Sequence, residues 1–543
     1  MAILVFHSFS SIIFKTLRMR ILQLFIPLLI TTTVFAQVKV TEKVDIKWGP
    51  EVKIEKKSSF YDVLTFDDKG YYMLKSTKKG TQIDRYNKDL SLNKSLLLDL
   101  KYENKTMARE GITFFNNSIV VFSSFSDNKA KKNYMFYQVV DQKNLEQNGK
   151  LNKLSEISFE KKRRDGGFGY DKSPDSTKMM IYASMPYVKE GPEKFGFAVH
   201  DESMKEIWKK DIELPYKEEL FGVEGYDVSN KGNVFITGIE YKERKEAKKR
   251  KGKPNHKYHI LGYFDNGARV KDYEIDLGDK FVTDLTATVR DNEDLICTGF
   301  YSDNGNWSIR GTFFLTIDGE TKKIKTKSFK EFDEDFITEG LSEREEAKAK
   351  KKAAKKEQSL EMYNYEFREM IQREDGGAVL IAEQYYHYVT CRTTTSSNGS
   401  TTTTCTDHYV YNDIIVINVS PEGQIEWASK IDKHQHSTND GGYFSSFSTH
   451  VKGDKIFLVY NESAKQYYEK EKWKEMEKKD KKAMLTLLVE VDGRGRMFKE
   501  LMFNNRIEGV RTRPKVCEQI SSDLSIVYTK ARKTQKFMEL VFK

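Results

Sequence analysis

The sequence predicts an all-β fold, one domain built from repeated four-stranded antiparallel units. Three observations predict it: a composition rich in β-forming aromatics, a turn-and-strand pattern that recurs eight times, and an N-terminal strand that supplies what the last repeat lacks. Of 543 residues, 29 are Tyr, 34 are Phe and only 9 are Pro, so ordered β structure is favoured over disorder.

The eight repeats each open with a turn that runs into a short strand: DDKG into YYMLK, NNS into IVVFSSF, SPDST into KMMIYA, SNKG into NVFITGI, DNED into LICTGF, EDGG into AVLIAE, KGD into KIFLVY and SSD into LSIVYTK. Gly, Asn and Asp supply the turn geometry and the apolar run supplies the strand. A partner strand ending in a second turn follows each: QIDRYNKD, MFYQVVDQ, FGFAVHDE, ILGYFDNG, FFLTIDGE, IIVINVSPEG, LTLLVEVDG and, last, KFMELVFK. Each repeat therefore reads as four strands, a to d, with tight a–b and c–d turns. The clearest copy of the outer half is Asn412 to Asp432, NDIIVINVSPEGQIEWASKID. Four-stranded units of about 40 to 50 residues repeated four to eight times are the signature of a β-propeller. A β-sandwich gives no reason for the same two turn types to alternate along the whole chain.

The final repeat stops after its c strand, at Phe542 and Lys543. The segment VDIKWGPEVKI from Val44 matches the d strands KEIWKKDIEL and IEWASKID, so it is expected to complete the last blade. That closure removes exposed edges and makes a ring of eight blades. Seven is the alternative if the second repeat is not a blade.

A strand, a turn with Asp or Ser near Gly, and then Trp resembles the docking pattern of quinoprotein-type eight-bladed propellers. SPEGQIEW is similar to a degenerate Asp-box of sialidase-type propellers, and SPDSTK resembles the turns of Tol-type and dipeptidyl-peptidase-type propellers. Each likeness covers a hairpin. It implies the propeller class and carries over no active site. Trp48, Trp208 and Trp427 serve only three of the eight repeats, so no quinone or other cofactor is expected.

The N-terminus reads as an address. From Met19, an alternative start, MRILQLFIPLLITTTVFA has a basic n-region, an apolar h-region and Ala36 before a cleavage point, the layout of a secretory signal over residues 1–36. Residues 37–543 form the propeller. The run is too short and too interrupted by Pro27 and Thr for a membrane anchor, and no transmembrane span is expected elsewhere. The chain thus reads as an exported bacterial repeat protein, periplasmic or at the cell surface. Its formal charge of +10 falls to +7 once Lys15, Arg18 and Arg20 are removed with the signal, which argues solubility and no nucleic-acid partner.

Of four cysteines, Cys391 and Cys405 bracket the polar tract RTTTSSNGSTTTT, too repetitive to hold a shape by packing, and a disulfide closing it is the expectation. Cys297 and Cys517 lie in apolar strands and read as inert buried thiols.

Four insertions interrupt the pattern: 241–257, 385–412 and 461–483 in b–c connections, and 332–360 in a d–a connection. In an up-and-down blade these two connections leave from one face, so all four decorate the same side, where repeat proteins commonly bind. Ser342 to Glu345 is a capping box opening a helix, and Ser463 to Gln466 opens a second helical run. KERKEAKKRKGKPNHK from Lys242 is basic and flexible in composition. Trp307, Tyr385, Tyr386, Lys351, Lys352 and Trp473 are the candidate binding residues of this rim. The partner would be a protein or an anionic envelope component, met by a monomeric propeller.

Chemistry-bearing motifs are sparse. There is no G-x-S-x-G elbow, no Walker loop, no dinucleotide fingerprint and no zinc-type Cys pairing. His434 and His436 form an H-x-H spacing that would suit a metal, but no ligand-dense motif supports them, and they read as a polar loop. The expected function is a non-catalytic binding or scaffold module. The alternative is a carbohydrate-active propeller, lyase-like or sialidase-like, which would need carboxylates, Arg or Tyr converging in the central channel.

Overall fold

The computed structural model describes residues 38–39, 41–160, 165–242, 255–278, 280–305, 307–373 and 375–543. The expected signal segment and the core of the basic insertion after Lys242 lie outside the described residues. Among the described residues, eight antiparallel sheets of four or more strands follow one another along the chain. Their first strands are Ser59–Asp67, Ala108–Phe115, Gly167–Lys172, Phe221–Val228, Phe281–Val289, Tyr365–Gln372, Phe447–Lys452 and Arg511–Ser521, and the sheets are numbered 1 to 8 in that order.

Each sheet is a meander in which successive strands pair. The a–b and c–d turns are tight because their glycines and asparagines take positive φ. Gly423, at φ +80°, ends the turn of SPEG, and a Cβ there would run into Thr326 of sheet 5. Second and third strands are buried on both faces, as in Leu295–Ser302 and Gly311–Ile317, whereas the fourth strand Leu92–Leu97 is largely exposed.

The core is divided among the junctions between sheets. Phe122 and Met135 of sheet 2 pack on Met179 and Ile181 of sheet 3, and Ile381 and Val416 of sheet 6 pack on Leu458 and Leu487 of sheet 7. The same holds at every successive junction, and Phe60 and Met73 of sheet 1 pack on Ile526 and Phe537 of sheet 8. Each such side chain contributes about 1.5–3 kcal/mol by leaving water. Tryptophans pin the outer strands to the next sheet: the Trp208 indole donates to Gly232 O at 3.0 Å and the Trp427 indole to Gly493 O at 3.0 Å. This arrangement of meanders stacked side by side, first strand against first strand, is of the β-propeller class.

The strand Val44–Trp48 pairs with Thr534–Phe542, from Val44 opposite Phe542 to Trp48 opposite Met538. It therefore lies in sheet 8, beside the last strand of the chain.

One expectation is corrected. The tract between Cys391 and Cys405 does not lack shape. The strands Ala378–Thr395 and Thr401–Val419 run on as one continuous hairpin, with Thr395 opposite Thr401. Packing is not what holds it, since every residue from Tyr386 to Cys405 is exposed. The backbone ladder holds it, together with β-branched threonines that favour strand geometry, a Thr393–Thr403 hydroxyl contact of 3.0 Å and the Cys391–Cys405 disulfide.

Candidate functional site

The insertions in the described residues all leave from the b–c and d–a end of the strands. The hairpin projects roughly 30 Å past its sheet, from about ten residues at strand rise. Between sheets 5 and 6 lie α1 (Glu334–Thr338), capped by Asp333, and α2 (Glu343–Lys355), capped by the reciprocal Ser342–Glu345 box. Lys351 and Lys352 stand exposed on α2, which buries no residue. The 461–483 insertion forms three short helices, α3 (Ala464–Tyr467), α4 (Lys470–Glu475) and α5 (Lys478–Lys481). Trp473 folds inward here: it packs on the junction of sheets 6 and 7 and its indole donates to Lys481 O at 3.2 Å.

The aromatic candidates do not form one patch. Tyr385 lies against Tyr411, ring centres 4.6 Å apart, with the Arg368 guanidinium over its face. Tyr386 is exposed and stacks loosely on Tyr388 at 6.0 Å. Trp307 sits apart in the b–c connection of sheet 5, exposed and stacked on His256 at 5.1 Å. His436, on the short strand Gln435–Thr438 that pairs with the hairpin's second strand, meets His408 with ring nitrogens 3.0 Å apart, and not His434. Among the described residues no group of three or more His, Cys, Asp or Glu is arranged to hold a metal ion.

A cleft of about 850 Å³ opens on this same face where sheets 7 and 8 meet. Its lining comes from b–c and d–a connections and includes Lys482, Arg506, Arg511, Lys530 and Arg532, with Tyr443 and Phe444. Sequence reasoning missed these residues. The signal was RTRPK at 511–515, cations alternating around a proline in what reads as an inner strand. Pro514 cannot donate to the ladder, and pairing breaks between Thr512 and Cys517, leaving four residues opposite one. The bulge frees Arg513 and Lys515 from the sheet. Arg513 lies over the Tyr443 ring at 4.0 Å and Lys515 over Tyr411 at 4.2 Å.

The first strands also carry several carboxylates. The first strand skips Tyr61 and Leu64 of its ladder in sheet 1, and one residue in sheets 2, 4, 5 and 6, at Glu110, Glu224, Thr283 and Arg368. Such bulges re-aim the side chains that follow, here Asp62, Asp284 and Glu369. Burial pushes the carboxyls of Asp171 and Asp284 up to about 6 and those of Asp227 and Glu518 up to about 7, with nearby Asp171 adding to Asp227 and Asp62 to Glu518. Asp62 and Glu369 are raised for the same reason. Asp62 and Glu518 each keep exposed surface, yet protein surrounds most of each carboxyl. Glu369, Thr449, Lys515 and Glu518 border a recess of about 550 Å³, in which the Thr449 hydroxyl donates to Glu369 at 3.0 Å. Burial lowers Lys515 to about 8. The two free thiols, Cys297 and Cys517, are held at about 12 by burial.

No protein-family model matches the chain, and no curated protein matches it. Similar solved structures include the WD40 domain of SCAP from fission yeast, at 6% identity and TM-score 0.40 over 92% of this chain and 95% of that one. The Dos1 propeller matches at 8% identity and TM-score 0.40, over 91% and 94%. Prolyl oligopeptidase B from Galerina marginata matches at 8% and 0.36, over 88% of this chain and 55% of that one. At these scores the likenesses carry no argument, and the propeller class rests on the strand pairing and junction packing described above.

Proposed function

We propose that the eight sheets are the blades of one closed ring and that the chain is an exported, non-catalytic binding module. It docks a protein or envelope component through the face that bears the hairpin and helices. One observation carries this reading: the described insertions share one end of the strands, and one of them is a disulfide-clamped arm that is exposed from Tyr386 to Cys405. Loops on a rigid scaffold are where repeat folds place recognition.

The test is capture from envelope fractions by the intact chain and by a variant in which Val389–Asp407 is replaced with Asn-Gly, a two-residue turn that joins Tyr388 to His408. Loss of the captured partners is expected. An unchanged set sinks the reading, as does a chain that fractionates with cytoplasm and keeps residues 1–36.

A second reading, a carbohydrate-active enzyme, is favoured by the channel recess, where Glu518 keeps its proton near neutrality beside Glu369. It requires polysaccharide turnover by the purified chain that Glu518→Gln abolishes. Turnover that survives the substitution removes it.

A further inference from the structure

We propose that the cleft between sheets 7 and 8 is an oxyanion site that takes a phosphate or sulfate group. The inference rests on the reading of this face as the binding face and goes further by naming a ligand chemistry. Five cations line the cleft against one acid, Asp440. The Asp440 carboxylate is engaged in its own turn, accepting from Ser437 Oγ at 2.6 Å and from Gly442 N at 2.9 Å. Arg506 is paired with Asp480 on the cleft edge. Among the described residues, no carboxylate lies within ion-pair distance of Lys482, Arg511, Lys530 or Arg532, nor of Arg513 and Lys515 beside them; Asp440 acts on Arg511 and Glu383 on Lys515 from further away.

Some cations withdrawn from water elsewhere meet an acid, as Lys75 does Asp84, Lys271 Glu320 and Lys433 Glu383, whereas buried Lys430 donates to the carbonyls of Phe336 and Ile337. In the cleft, aromatic faces take the place of carboxylates. Arg513 and Lys530 lie over Tyr443 at 4.0 and 4.7 Å, and Arg511 lies over Phe444 at 4.9 Å. A ring face holds a cation in place without neutralising its charge, while Arg513 also donates to the Phe60 carbonyl and Lys530 to the Tyr443 hydroxyl at 3.5 Å. The Tyr443 hydroxyl is itself anchored to Ser59 Oγ at 2.8 Å, so the platform is fixed across sheets 7 and 1. Like charges gathered around a recess repel one another, and a bound anion removes that repulsion. Planar guanidinium donors suit the tetrahedral oxygens of phosphate and sulfate, which accept two parallel bonds.

The experiment is calorimetric titration of the full chain with tripolyphosphate and, separately, with a sulfated oligosaccharide. Both are repeated on Arg511→Gln/Lys530→Gln and on Lys351→Gln/Lys352→Gln, whose lysines lie on α2. Saturable binding near one to one is expected, weakened about tenfold or more by the cleft pair and unchanged by the α2 pair. Tighter binding of tripolyphosphate assigns a small phosphate ligand, and tighter binding of the oligosaccharide assigns a sulfate ester on a glycan. If the cleft pair does not fold, Arg532→Gln, on an exposed side chain, takes its place. No saturable binding, or equal weakening by the α2 pair, overturns the proposal. Neither result depends on partner capture by the hairpin, so the two readings fail separately.

Discussion

Lys433 is the most completely enclosed charge in sheet 6. Its ammonium and the Glu383 carboxylate have no exposed side-chain surface and sit 2.9 Å apart. Lys433 also donates to Tyr411 O at 2.9 Å, while Glu383 accepts from Ser446 Oγ at 2.8 Å and from Arg368 Nε at 3.1 Å. Burial pulls the Lys433 pKa down while Glu383 opposes that. Lys433→Met leaves a buried carboxylate with only Arg368 to answer it, and should cost about 3 kcal/mol in urea unfolding. Lys47→Met, which breaks a pair whose lysine is exposed, should cost under about 1 kcal/mol. Equal costs for the two would contradict this account of the network. None of this was legible in the sequence, where Lys433 belongs to a polar run, KHQHSTND, that reads as surface. Periodicity reports which side chains face a core. It is silent on charges brought together from positions 50 residues apart.

At the scale of the element, the hairpin shows where sequence reasoning failed and why. Judging RTTTSSNGSTTTT by its packing was the wrong test, because a two-stranded ladder needs register, and the Cys391–Cys405 pair sets it. The disulfide closes a loop with a sequence separation of 14, worth roughly 3 kcal/mol in the loop-entropy model. That stabilisation is local, since the arm buries nothing. Cys391→Ser/Cys405→Ser should speed amide exchange between Tyr388 and Asp407 by about a hundredfold, the equivalent of roughly 3 kcal/mol. The thermal midpoint should hardly move. A large fall in midpoint would show that the arm is packed on the sheets after all. The tight turns, by contrast, were legible: SPEG and SPDST carry their geometry in Gly, Asp and Ser themselves.

At the scale of the whole molecule, the carboxylates raised by burial make stability depend on pH. A folded-state pKa above the unfolded value gives stability that is complete below the unfolded pKa and is lost as pH rises through the folded one. For Asp227, at about 7 in the fold, the loss spans roughly pH 4 to 7. His450, lowered to about 4 by burial, pulls the other way between about 4 and 6.5. The contribution of Asp227 is therefore isolated by substitution. Asp227→Asn should narrow the drop in thermal midpoint between pH 5 and pH 8 by a few degrees, and an unchanged drop would place Asp227 in open water. The succession of sheets was visible in the sequence because turns and buried strands recur, but the first-strand bulges were not. Those at Tyr61 and Arg368 leave no mark on the alternation.

The pairing of Val44–Trp48 with Thr534–Phe542 also bears on timing. Lys47 and Glu539, which meet across it, are 492 residues apart. At about 5–20 residues per second, synthesis keeps the first strand waiting for its partner for roughly half a minute to a minute and a half. Through that interval Val44–Trp48 is a bare edge, and seven sheets can form before it is covered. Assembly of sheet 8 is thus set to finish last, and the slow step in refolding should be the docking of that one strand.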